Sequence, residues 1–82
     1  MLITSEWSPA RPVEPGKSIR ILYSQFNFSV KIYNATGATF QKEIVEGKEI
    51  IIKASEIKHI NPQQISFKAS TSQEIHVHFE MY

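Results

Sequence analysis

Phe26-Asn27-Phe28-Ser29-Val30-Lys31-Ile32-Tyr33 is the stretch whose reading decides the fold. Phe26, Phe28, Val30 and Ile32 share one parity, and Asn27, Ser29, Lys31 and Tyr33 share the other. Side chains alternate between the faces of a strand, so the run reads as a strand with an apolar inner face and a polar outer one. Asn34-Ala35-Thr36-Gly37 follows with turn chemistry, Gly37 being free to take positive φ. Past the turn, Ala38, Phe40 and Ile44 continue inward while Thr39, Gln41 and Glu43 face water.

The same alternation extends in both directions. Ile19, Ile21 and Tyr23 hold odd parity, so the change to even parity at Phe26 predicts a bulge or a short open corner near Ser24–Gln25. Glu46-Gly47-Lys48 makes the next turn, into a strand over Glu49–Ala54. Its three consecutive residues Ile50, Ile51 and Ile52 predict burial on both faces or beneath a partner. Ser55 is placed to cap a single helical turn over Glu56–His59, ended by Asn61-Pro62. Gln64–Ala69 turns Ile65, Phe67 and Ala69 inward. In the last strand Ile75, Val77, Phe79 and Met81 face one way, and Glu74, His76, His78 and Glu80 the other.

Twelve Ile and four Val raise the β-branched share and favour strands. No helical pattern is long enough for a crossover between parallel strands. Roughly six to seven short strands at this spacing predict an all-β, antiparallel, immunoglobulin-like sandwich, with a small open β-barrel as the alternative. The run Val30-Lys31-Ile32-Tyr33-Asn34-Ala35-Thr36-Gly37 resembles the central hairpin of many bacterial β-sandwich modules, the C-terminal sorting domains of surface-secreted proteins among them. That resemblance implies the sandwich and nothing further, because the sorting family's Gly shortly before an aromatic is missing from the last strand.

Pro9, Pro12 and Pro15 sit three residues apart and end in Gly16. Proline fixes φ and pushes its predecessor into extended conformations. Residues 1–16 therefore read as an extended N-terminal arm and residues 17–82 as the sandwich domain. With 82 residues and no cysteine, the chain has a thin stability margin and no disulfide to widen it. Oligomerisation or docking onto a larger body is the remaining way to widen it.

The bulk composition narrows the function classes. Nine Lys and Arg against eight Glu leave a formal net charge of +1, which disfavours a sequence-blind nucleic-acid binder. The absence of Asp removes the usual ligands of a calcium loop and a common partner of a catalytic His. No run approaches the ~20 apolar residues of a membrane helix. Met1–Trp7 lacks the basic and apolar regions of a signal peptide, so a cytoplasmic or assembly-associated location is expected.

Few residues point to chemistry. His76 and His78 lie two apart on one strand face, a spacing at which two imidazoles can share a metal if Glu74, Glu80 or His59 supplies a further ligand. They are weak candidates beside an exposed polar face. Gly16-Lys17-Ser18 resembles the tail of a phosphate loop but lacks its first Gly, Arg11 standing in that place. No serine sits in a nucleophile elbow, so no catalytic residue, cofactor or enzymatic activity is expected. Trp7, Pro9, Pro12, Tyr33 and Ile51 are the candidate partner contacts, Trp7 as an aromatic anchor. The outward mixture of Lys31, Tyr33, Lys53, Lys68 and Tyr82 is the feature a single-stranded nucleic-acid binder would use.

Those residues set three expectations of function. The first is a non-enzymatic structural or adaptor subunit of a larger assembly, such as a virion accessory, decoration or capsid-associated protein. The second is a monomeric protein- or carbohydrate-binding β-module, and the third a small nucleic-acid-binding barrel. No small-molecule ligand is expected.

Overall fold

The computed structural model of Met1–Tyr82 holds eight strands and one short helix. The strands are β1 (Leu2–Ile3), β2 (Arg11–Pro12), β3 (Ile19–Tyr23), β4 (Phe28–Tyr33), β5 (Thr39–Ile44), β6 (Glu49–Ile52), β7 (Gln64–Ala69) and β8 (Ile75–Met81). Between β6 and β7 lie α1 (Ala54–Ile57) and a 3-10 turn, Lys58–Ile60. Two four-stranded sheets form, ordered β1-β8-β3-β6 and β2-β7-β4-β5, with every pairing antiparallel.

The order has a simple rule. The pairs β4–β5, β3–β6, β2–β7 and β1–β8 nest inside one another around the β4–β5 turn. The first four strands thus run as a ribbon against the last four. Pairing β3 with β8 and β4 with β7 rolls that ribbon into two facing sheets. This is the connectivity of a jelly roll, with two Greek keys. The expected antiparallel sandwich is present; its nested order, with eight strands, is that of a jelly roll and not the immunoglobulin arrangement of the same class.

The deciding stretch is a central strand, since β4 lies between β7 and β5. It starts at Phe28, not at Phe26. Asn27 takes a left-handed conformation at φ 73°, and Phe26 is 46% exposed. Ser24–Asn27 is an open corner that carries the chain from the first sheet to the second. The change of parity is the signature of that crossing: Ile19, Ile21 and Tyr23 point into the core from one side, and Phe28, Val30 and Ile32 from the other. Phe28 meets Tyr23 edge-on, with ring centroids 4.9 Å apart. Phe67 lies beside β4 in the same sheet, opposite Val30, rather than across the core. It is Phe79 that reaches Phe67 from the facing sheet, at 5.7 Å.

Residues 1–16 supply the first two strands of the roll, β1 and β2, with a bend at Ser5–Glu6 between them and a turn at Pro15–Gly16 after them. Leu2–Ile3 pairs with β8 and buries Ile3 to 1% exposure. Ser8 then donates its N–H to the Phe67 carbonyl at 2.7 Å and accepts from the Phe67 N–H through Oγ at 2.9 Å. Arg11–Pro12 pairs with β7, and Val13 is buried. Pro12 is tolerated there because an edge strand leaves one side of its backbone unpaired.

The helical turn begins two residues earlier than Ser55 predicts, and Ser55 lies inside it. Its orphan N–H groups are met from elsewhere. Ala54 N–H donates to Ser18 Oγ at 3.0 Å, and Lys53 N–H to the Glu56 carboxylate at 2.7 Å. Ile57 and Ile60 beneath it are buried, and Asn61 ends the segment at φ 48°.

Burial sets three stability tests. Phe28→Ala costs about 3–5 kcal/mol in urea unfolding and Ile3→Ala about 2–5 kcal/mol, whereas Phe26→Ala changes stability by less than about 1 kcal/mol. An Ile3→Ala protein as stable as the wild type would show that β1 contributes no core.

Candidate interaction faces

The outer face of the second sheet is built from β4, β5 and β7. In register, Lys31 lies opposite Ser66 and Gln41, and Ser29 opposite Lys68 and Glu43. Trp7, carried on the crossing segment between β1 and β2, folds onto this face and is half-buried. Lys31 Nζ sits 4.4 Å from the centre of the Trp7 ring and 4.9 Å from that of Tyr33. One ammonium therefore serves two aromatic rings, and Lys68 approaches Trp7 from a further 5.8 Å. An exposed contact of this kind is worth about 0.5–1 kcal/mol.

Two anchors hold the ledge rigid. The reciprocal Ser8–Phe67 hydrogen bonds, one from the Ser8 N–H and one to its hydroxyl, fix the residue next to Trp7. The Tyr33 hydroxyl hydrogen-bonds Ser66 Oγ at 3.2 Å, and Ser66 is buried. A shallow depression beside the ledge is lined by Ser5, Trp7, Ser29, Gln41 and Lys68.

The first sheet's outer face has another character. Arg20 forks between Glu49 at 3.0 Å and Glu80 at 3.2 Å. The hydrogen bond and charge of Glu49, then those of Glu80, hold its guanidinium charged beyond its usual range. These pairs are exposed, so their effect on stability is small. Ile51 lies opposite Arg20 in register and is 44% exposed. His76 and His78 are exposed on the same face, opposite Leu2 and Leu22. No third His or Glu joins them in a group that could hold a metal ion.

The candidate partner residues thus divide. Trp7 and Tyr33 come together through Lys31, with Lys68 beside them. Pro9 is exposed on the crossing segment and Pro12 in β2, and Ile51 belongs to the opposite side of the sandwich. Lys53 and Tyr82 directly follow β6 and β8 of the first sheet, away from the ledge. Ser18 of the Gly-Lys-Ser run is engaged in capping α1. Sequence reading missed Ser66, whose hydroxyl looked like one more outward polar group, and the Arg20 fork, which depends on the pairing of β3 with both β6 and β8. Comparison with protein-family models, curated proteins and solved structures finds no match to this chain.

One buried phenol stands apart from both faces. Tyr23 donates its hydroxyl to the Glu46 carbonyl at 3.0 Å, beside an open cleft lined by Ile44, Val45, Gly47 and Ile50. Burial, then the charges of Glu46 and Glu49, push its ionisation above the ordinary phenol value. The folded state thus prefers the protonated form. The resulting stability is present below about pH 10, where the free phenol titrates, and is lost as pH rises through the elevated folded value. Absorbance titration should show one late tyrosine, and Tyr23→Phe should remove it. On the ledge, a Trp7→Ala and Lys31→Met double-mutant cycle should return a coupling of about 0.5–1 kcal/mol; strict additivity would mean the rings and the ammonium do not interact.

Proposed function

We propose that this protein is a non-enzymatic adaptor that docks onto a protein partner in a larger assembly through the Trp7–Lys31–Tyr33 ledge. A virion accessory, decoration or capsid-associated subunit is its concrete form. The observation that carries the reading is the position of Lys31 Nζ, 4.4 Å and 4.9 Å from two outward aromatic rings that their neighbours hold in place. Aromatic anchors dominate binding energy at protein interfaces, and rings already fixed lose little entropy when a partner covers them. A ledge of mixed charge and ring, with Ser29 and Gln41 at its edge, offers hydrogen bonds around that anchor. Capsid and lectin domains share jelly-roll connectivity, which is an analogy of fold alone.

A second reading has its own support. Lys31 and Lys68 beside Trp7 and Tyr33 are the elements with which single-stranded nucleic acid is stacked and neutralised. Glu43 on the same face and a net charge of +1 weigh against it.

Trp7 is the sole tryptophan, so its emission reports on this ledge directly. Capture from an extract of the source cells should retain a protein on the wild type and lose it on a Trp7→Ala, Tyr33→Ala double variant. Loss of a hot spot should weaken the purified pair by roughly 30-fold or more. Equal retention by both proteins overturns the docking face. A change of Trp7 emission with oligothymidylate that disappears steeply with salt moves the assignment to nucleic acid.

A further inference from the structure

We propose that β6 pairs antiparallel with the β6 of a second copy, about a two-fold axis at Ile51, joining two four-stranded sheets edge to edge. This goes beyond the ledge and does not depend on it.

The backbone sets the stage. β6 is the end strand of the order β1-β8-β3-β6. The Tyr23 N–H donates to the Lys48 carbonyl, in register with the pairs Ile21–Ile50 and Ile19–Ile52. Antiparallel ladders alternate, so Lys48, Ile50 and Ile52 direct their amides towards β3. Glu49 and Ile51 direct theirs away, off the open edge. Lys53 keeps the extended conformation, at φ −72° and ψ 145°, and continues that edge.

Exposed edges are normally blunted by shortness, proline or charge. β1 and β2 have two residues each, and β2 carries Pro12. β5 places Lys42 and Glu43 within its span. β6 is apolar at its centre, with Ile51 44% exposed.

The sequence Glu49-Ile50-Ile51-Ile52-Lys53 is complementary to its own reverse. Antiparallel pairing centred on Ile51 sets Ile51 against Ile51, Ile50 against Ile52, and Glu49 against Lys53 of the second copy on both sides of the axis. Glu49 holds Arg20 through Oε2, which leaves Oε1 for that lysine. The central pair exchanges both backbone hydrogen bonds. The flanking pairs add side-chain contact alone, because Lys53 N–H is held by the Glu56 carboxylate and the Lys53 carbonyl accepts from Glu56 N–H. Self-pairing of β5 is poorer: centring on Gln41 sets Phe40 against Lys42, and centring on Lys42 sets two lysines together.

Sedimentation of the full chain over a range of concentrations tests this. The wild type should move from monomer towards dimer. Ile51→Lys should weaken association roughly tenfold with an unchanged circular dichroism spectrum, because Ile51 points outward. Lys53→Glu alone and Glu49→Lys alone should each stay monomeric through like-charge pairs. Mixed in equal amounts, they should form a heterodimer, since each then faces the opposite charges of the other. Trp7→Ala should dimerise as the wild type does, which separates this outcome from that of the ledge. A wild type monomeric at millimolar concentration overturns the proposal, as does a dimer insensitive to Ile51→Lys or a mixture that fails to associate.

Discussion

Each strand of the first half of the chain must find its partner at the mirrored position of the second half. Only the β4–β5 pair is local. β3 waits for β6 and β8, β2 for β7, and β1 for β8, so Leu2 meets His76 across almost the whole sequence. Such pairings cost loop-closure entropy before they return contacts, and folds built on them form slowly. The core follows from the same nesting. Rolling the ribbon brings Ile19, Ile21 and Tyr23 over Phe28, Val30 and Ile32, and lets Ile3 and Val13 close the sides.

That nesting explains what was legible in the sequence. Alternation identified the inward sets of β3, β4, β7 and β8, because a half-buried strand leaves its pattern in consecutive residues. It could not distinguish a bulge from a crossing, since both shift parity by one; Phe26 was assigned to the wrong side for that reason. Ser55 looked like a cap because capping residues act locally, yet the Ala54 N–H is satisfied by Ser18, which only the fold brings near. The difference between immunoglobulin and jelly-roll order lies in long-range pairing, and both orders produce the same alternations.

The faces show the same limit. Trp7 and Tyr33 stood out by residue type, but their union through Lys31 depends on Ser8 gripping the backbone of Phe67. His76 and His78 share a face as their spacing requires, while the nearby carboxylate Glu80 is spent on Arg20. The ledge belongs to one sheet and the open β6 edge to the other. A copy bound at one surface keeps the other free, the geometry that lets a small module both pair and attach.

The pairing of β1 with β8 also has a mechanical meaning. The two strands are antiparallel, so the chain leaves both in the same direction, Met1 beside Val77 and Tyr82 further along, where it exchanges backbone hydrogen bonds with Ser18. Tension applied through those two residues would peel β1 from β8 one hydrogen bond at a time instead of shearing the ladder as a block. Loaded along its own chain, the molecule opens like a zip from its first strand.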